Sequence, residues 1–133
     1  MKKLIILFIS LMILASCSQS SGKNNNELGK SIMSAMDKND AKEMDLTDVT
    51  DFSWDKAYIF NPYTSQKSIN EQLGVKFKDP SGIDSRDDIY LIVFLKQNKV
   101  IHYAEIERKY GDLSSDKENG ITPSDATVKI TKQ

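Results

Sequence analysis

The sequence is poor in the residues that build metal and nucleophile sites. Its 133 residues include one cysteine (Cys17), one histidine (His102) and two arginines. A single cysteine excludes an intramolecular disulfide, and one cysteine with one histidine cannot supply the four nitrogen or sulfur ligands of a structural zinc site. Walker, Rossmann and Gly-x-Ser-x-Gly motifs are absent. The sequence therefore predicts no metal, no cofactor and no catalytic residue.

Long apolar runs are confined to the N-terminus. Lys2 and Lys3 precede an apolar stretch, residues 4–15, that only Ser10 interrupts. A basic start followed by an apolar segment and small residues is typical of a secretory signal. The stretch is a dozen residues long, against about 20 for a membrane span. We therefore expect residues 1–16 to be removed as a signal peptide rather than kept as a transmembrane helix.

The end of this signal is specific. Leu14-Ala15-Ser16-Cys17 resembles the lipobox of bacterial lipoproteins. That resemblance implies that diacylglycerol is attached to Cys17 and that the chain is cut just before it. Two acyl chains anchor a protein far more durably than one. The protein is thus expected to be held by this lipid on the far side of the cytoplasmic membrane, at the cell membrane or the outer membrane.

The mature chain is predicted to be small and slightly acidic. Without Lys2 and Lys3 it has 16 basic residues against 19 acidic ones. Such a balance favours neither nucleic acid nor an anionic membrane surface as a partner, because both attract a basic excess. Composition predicts a lipidated cysteine and flexible tether over residues 17–26, a short helix over 27–40 and a single α+β domain over 41–133.

Apolar patterning locates the main elements of this domain. A helix is expected over residues 65–73, with Thr64 or Ser65 as its N-cap and Gly74 at its end. Four strands are expected, the second of them central and the last at an edge, over residues 57–60, 89–95, 100–108 and 126–130. Gln97-Asn98 is the expected hairpin turn. Residues 45–55 could form a helical turn, but Thr47, Val49 and Thr50 favour a loop leading into a strand.

The fold class that follows is α+β, with a small, mostly antiparallel sheet of about four strands, one packed helix and a short N-terminal helix. On the strand 100–108, alternation predicts that Val100, His102, Ala104 and Ile106 share one face. His102 is accordingly expected to be a packed or rim histidine.

The densest aromatic segment is residues 54–64. Its Trp-Asp, Tyr-Ile-Phe and Pro-Tyr-Thr elements resemble a motif of small uncharacterised bacterial secreted or lipid-anchored proteins. The resemblance covers residues 52–108 and implies an α+β domain without an assigned activity. Trp54, Tyr58 and Phe60 are expected to fill the core beneath the helix 65–73.

Two side chains of this segment are candidates for binding. Asn61 and Tyr63 stand where a strand meets a helix N-terminus, a position suited to an anion or a peptide carboxylate. Arg86 or Arg108 could add a bidentate contact there. The alternative for both arginines is a surface ion pair with neighbouring carboxylates.

Carboxylates provide the remaining candidates. Asp79, Asp84, Asp87 and Asp88 crowd one loop, residues 78–88, and could bind calcium. The loop does not match the EF-hand pattern, so solvated turn residues are the favoured interpretation. Asp55 and these loop carboxylates are also the candidates for a hydrolytic site.

Function is predicted at the level of class. We expect a lipid-anchored, non-catalytic binding or accessory module that meets a protein or peptide of the cell envelope. One alternative is an immunity or exclusion lipoprotein that inhibits a toxin, a phage component or an enzyme. A weaker alternative is a carboxylate-dependent hydrolase.

Overall fold

The computed structural model describes residues 22–132, so the predicted signal peptide, the lipobox-like segment and Cys17 lie outside the described residues. Helices α1, α2 and α3 span Asn26–Met36, Leu46–Val49 and Gln66–Leu73. Strands β1 to β7 span Lys23–Asn24, Glu43–Asp45, Lys56–Phe60, Ile89–Lys96, Lys99–Glu107, Asp112–Ser114 and Thr127–Thr131. The predicted α+β class is confirmed. None of the helices in the described part of the chain is long and apolar enough to cross a membrane.

Strand β4 is the centre of the larger sheet, as its unbroken apolar run predicts. The sheet has the order β1-β5-β4-β3, in which only the β1–β5 pair is parallel. Every residue from Ile89 to Leu95 is buried. A strand that is apolar on both faces needs cover on both faces, and the fold supplies it with two separate core layers.

One layer lies beneath α3 and the other beneath α1. The α3-side core includes Phe60, Ile69, Leu73, Leu91 and Val93. The α1-side core includes Leu28, Ile32, Ile92, Phe94, Val128 and Ile130. Tyr58 and Phe60 pack beneath α3 as predicted, but the prediction for Trp54 is wrong. Trp54 packs in the α1-side core, where its ring meets Phe94 edge-on at 5.1 Å between centroids.

The β4–β5 hairpin confirms the predicted turn and corrects the predicted face. Gln97 and Asn98 both have positive φ, 51° and 60°, the backbone that a tight two-residue hairpin turn needs. The register of the two strands shifts between Phe94 and Leu95. Phe94 pairs with His102 and Leu95 pairs with Val100, so Ile101 is the additional residue of a β-bulge. Val100 therefore joins the α3-side core instead of sharing a face with His102.

A second, three-stranded sheet was not anticipated. Its order is β2-β7-β6, with both pairs antiparallel. The prediction that the last strand lies at an edge is therefore wrong, because β7 pairs on both sides. Its flanking strands are three residues each and carry one buried residue apiece, Met44 in β2 and Leu113 in β6. Strands this short have no detectable alternation.

Two local predictions also need correction. The segment expected to be a loop begins with β2 and α2, and Asp45 caps α2 by accepting a hydrogen bond from Thr47 N at 2.8 Å. Side-chain capping stabilises this helical turn over the extended chain that its β-branched residues favour. Lys23 and Asn24, predicted to belong to the flexible tether, instead pair with β5. The predicted helix 27–40 ends at Met36.

Helix α3 follows its sequence signals closely. Ser65 is the N-cap, and its side chain accepts a hydrogen bond from Ser68 N. Gly74 ends the helix in the left-handed conformation, with φ of 74°. Ile69 and Leu73 are its buried residues, as the i, i+4 spacing predicts.

Charge placed in the central strand should unfold the domain. Val93 and Phe94 are fully buried and face opposite core layers. We expect Val93→Asp and Phe94→Asp each to abolish cooperative thermal unfolding, because an unpaired buried carboxylate costs several kcal/mol, out of a total of about 5–10 kcal/mol. The matched control is Lys96→Asp at the exposed end of the same strand. Circular dichroism melts that leave either core variant like its parent would contradict the assigned two-sided burial.

Candidate functional site

The Tyr63 turn, residues 61–64, joins β3 to α3 and has an unusual conformation. Tyr63 has φ of +66°, and it retains 62% of its accessible surface. Among the described residues it is the one large hydrophobic side chain that is exposed. A non-glycine residue in the left-handed region costs about 1–2 kcal/mol. Two unfavourable features, a strained backbone and a solvated aromatic ring, therefore coincide at one residue.

Hydrogen bonds hold the turn in this conformation. The backbone N–H of Tyr63 donates to the carbonyl oxygens of Ile83, at 2.9 Å, and Arg86, at 3.2 Å. Asn61 O accepts from Thr64 N at 3.3 Å and from Thr64 Oγ1 at 2.6 Å. With Pro62 at its second position and positive φ at its third, the turn has the type II pattern, in which glycine or asparagine is the usual third residue. The ring of Tyr63 is thus presented on a fixed backbone.

The loop behind the turn is equally constrained. The carboxylate of Asp79 accepts hydrogen bonds from Ser81 N at 2.8 Å, Ser81 Oγ at 2.6 Å and Ile83 N at 3.1 Å. Gln66 of α3 holds the loop in place with two hydrogen bonds. Its Oε1 accepts from Asp79 N at 2.9 Å, and its Nε2 donates to Phe77 O. The Asp79 carboxylate therefore shapes the loop. Within residues 22–132, no three potential metal ligands come together.

Arg86 follows the loop and forms ion pairs. Its guanidinium donates to both carboxylate oxygens of Asp88, at 2.9 and 2.8 Å, and to Glu105 Oε1 at 2.7 Å. The hydrogen bond with Asp88, and secondarily that with Glu105, raises the pKa of Arg86 above its ordinary value. The same contact with Arg86 lowers the pKa of Asp88. The Arg86 guanidinium thus makes its bidentate contact with a carboxylate of the protein itself and not with a ligand.

Arg108 is paired in a similar way. Its Nε donates to Asp112 Oδ1 at 3.0 Å, and its Nη1 donates to Asp87 O at 2.9 Å. The hydrogen bond with Asp112 raises the pKa of Arg108. Tyr90 also donates to Asp112 Oδ1, at 2.9 Å, and burial raises the pKa of the Tyr90 hydroxyl. Of the two roles considered for the arginines, the ion pair is the one the structure shows.

All four predicted binding residues gather around one segment, residues 83–88. Tyr63 bonds to the backbone of Arg86, Asn61 lies in the same turn, and Arg108 bonds to the backbone of Asp87. Arg86 and Arg108 also line one shallow depression of about 520 Å³. Because its arginines are neutralised, this end of the molecule presents the aromatic ring of Tyr63 rather than a free cationic site.

The other candidates have structural contacts. Asp55, considered for hydrolysis, accepts a hydrogen bond from Gln97 N at 2.7 Å and so caps the β4–β5 hairpin. His102 is half-buried, and its ring lies 4.2 Å from that of Phe52, centroid to centroid. Burial lowers the pKa of His102. It is therefore a packed rim histidine, as predicted.

One surface feature is absent from the sequence-based predictions. A groove of about 880 Å³ runs between α1 and residues 41–51. Charged side chains line much of it: Glu27, Lys30, Lys38, Glu43, Asp45, Asp48 and Asp51. Its one signal in the sequence is the series of aspartates 45, 48 and 51, which lie in and on either side of α2 along this rim. No buried side-chain nitrogen or oxygen among the described residues lacks a hydrogen-bond partner, so no orphaned buried polar side chain faces the groove.

Comparison with protein-family models, with curated proteins and with solved structures finds no match for this chain. The Tyr63 turn and the N-terminal sequence are therefore the features that bear on function.

Relief of strain at Tyr63 should stabilise the domain. We expect Tyr63→Gly to raise its free energy of unfolding by about 0.5–1 kcal/mol, because the gain in backbone freedom at positive φ exceeds the entropy cost of glycine. Thr64→Gly, at a neighbour with negative φ, should be destabilising. Tyr63→Ala should leave the melting temperature nearly unchanged, while Trp54→Ala should cost about 3–5 kcal/mol.

Urea titration and thermal melts of residues 18–133 measure all four variants. A Tyr63→Gly variant less stable than its parent would show that the Tyr63 ring contributes to the fold and that its conformation is not a source of strain.

Proposed function

We propose that this protein is a lipid-anchored module of a bacterial cell envelope, and that its domain binds a protein or peptide partner through the Tyr63 turn. The observation that carries the proposal is the coincidence of strain and exposure at Tyr63. Strained residues persist where the surrounding structure enforces them, and they cluster at functional sites.

The chemistry of the turn suits an interface anchor. A tyrosine ring buries a large area with few rotatable bonds, which is why tyrosine is enriched among the residues that dominate binding energy. The backbone of Tyr63 is already fixed by Ile83 and Arg86, so little further ordering is needed on binding. The neutralised arginines on the adjacent surface favour a partner recognised by aromatic packing over one recognised as an anion.

The anchor is proposed from the N-terminal sequence. The lipobox-like Leu14-Ala15-Ser16-Cys17 follows a basic and apolar signal. A toxin, phage component or enzyme recovered as the partner would define the protein as an immunity or exclusion lipoprotein within the same proposal.

Removal of the thiol should remove the anchor. We expect Cys17→Ala to abolish incorporation of labelled fatty acid and to block release from the precursor by the lipoprotein-specific peptidase. The matched control is Ser18→Ala, one residue further along, which should be labelled and processed normally. A Cys17→Ala protein that still incorporates fatty acid would contradict the lipobox assignment.

Loss of the Tyr63 ring should weaken partner capture without loss of folding. We expect Tyr63→Gly to reduce recovery of the partner from crosslinked membranes by at least tenfold, about 1.4 kcal/mol or more. Tyr63→Phe should retain most of the recovery, since it keeps the ring. Lys67→Ala, at an exposed position on the neighbouring helix, is the control for a general surface change. Equal recovery by Tyr63→Gly and its parent would contradict the assigned site.

A further inference from the structure

The described chain enters the fold at a fixed point on the edge of the larger sheet. Gly22 packs so closely on β5 that a Cβ there would lie 2.6 Å from Val100 Cγ1. Lys23 and Asn24 then pair with His102 and Tyr103 in parallel register, and Asn25 N donates to Tyr103 O at 2.9 Å. The domain is therefore joined to its N-terminal segment at the end of the sheet that carries the β4–β5 hairpin.

Four exposed lysines lie at this same end, which we call the lysine end. Its members are Lys23, Lys56, Lys96 and Lys99. Lys96 and Lys99 are direct partners across the hairpin, and Lys56 is paired with the neighbouring Leu95. Among residues 22–132, no ion pair involves any of the four.

Two aspartates also lie at the lysine end. Asp55 caps the hairpin there, and Asp51 acts electrostatically on the nearby His102. The four lysines thus outnumber these two aspartates. At the opposite end of the sheet, Arg86 and Arg108 are neutralised by carboxylates. The end where the chain enters therefore carries lysines that no ion pair of the described chain neutralises, whereas the arginines at the opposite end are neutralised.

The short distance between Cys17 and Gly22 brings the four lysines close to the membrane that a lipid on Cys17 would enter. Four residues, 18–21, separate Cys17 from Gly22, and an extended chain reaches at most about 18 Å over the five Cα–Cα steps between them. The screening length in physiological salt is about 8 Å. A lipid on Cys17 therefore holds the lysine end within a few screening lengths of the headgroups.

We propose that the lysine end docks on anionic phospholipid headgroups and points the Tyr63 turn away from the bilayer. This inference rests on the lipid anchor of the proposed function. β4 runs from the lysine end at Lys96 to the Arg86 and Tyr63 end at Ile89, a rise of about 23 Å. The partner site is thereby held clear of the membrane surface. Each lysine near an anionic surface contributes about a fivefold preference.

Energy transfer from the protein to the membrane measures this orientation. The full lipidated chain has no reactive thiol once Cys17 is a thioether, so a single added cysteine can be labelled. Gln97→Cys places a donor dye at the hairpin, and Ser85→Cys places it near Tyr63. Both positions are exposed. Each protein is reconstituted on vesicles that contain an acceptor-labelled lipid, either with 30% phosphatidylglycerol or with phosphatidylcholine alone.

On phosphatidylglycerol vesicles we expect clearly greater transfer from Gln97→Cys than from Ser85→Cys. The difference should fall several-fold on phosphatidylcholine, and likewise in Lys96→Gln/Lys99→Gln. The control pair Lys42→Gln/Lys129→Gln makes the same change of charge on the other sheet and should leave the difference intact.

Three results would overturn the proposal. Equal transfer from the two positions, with the protein still sedimenting with vesicles, refutes the docking and leaves the anchor standing. A difference that persists on phosphatidylcholine refutes the role of the lysines. Failure to sediment with either vesicle refutes the anchor, and the docking with it.

Discussion

Strand β4 must hide apolar side chains on both of its faces, and the rest of the fold follows from that requirement. Ile92 and Phe94 point into the α1-side core, while Leu91 and Val93 point into the α3-side core. Neither layer could be left open, because each contains several large side chains whose exposure would cost about 1.5–3 kcal/mol apiece. Helix α3 covers one face of the sheet. Helix α1 and the three-stranded sheet together cover the other face.

This arrangement gives the molecule two different ends. At one end of β4, the hairpin and β1 bring exposed lysines to the point where the chain enters. At the other end, the loop before Ile89 supports the Tyr63 turn, and the carboxylates of Asp88, Glu105 and Asp112 neutralise the two arginines. The slightly acidic balance of residues 17–133 conceals this contrast. The proposed orientation at a membrane depends on the distribution of paired and unpaired charge rather than on its sum.

Much of the larger sheet and its helix could be predicted from local chemistry. Ser65 and Gly74 mark the ends of α3, and the run from Ile89 to Leu95 identifies the buried strand, since capping and two-sided burial depend on nearby residues. The three-stranded sheet could not be predicted, because β2 and β6 each bury a single residue and depend on long-range pairing with β7. The same holds for the irregular register that moves Val100 to the other core.

The candidate site could also be predicted only in part. Asn61, Tyr63 and the two arginines were identified from residue type and position, and the structure gathers them around residues 83–88. The conformation of Tyr63 was not predictable, since proline at the second position of a turn is compatible with either sign of φ at the third. The carbonyl oxygens of Ile83 and Arg86, distant in sequence, enforce the positive value.

A photo-crosslinking amino acid placed at position 63 tests the central claim most directly, in intact cells that make the protein naturally. Matched insertions at positions 67 and 97 report on the neighbouring helix and on the lysine end. If the Tyr63 turn is the partner site, position 63 gives a covalent protein adduct of defined mass that position 97 does not give. The absence of an adduct at position 63, or the same adducts from all three positions, would contradict the account.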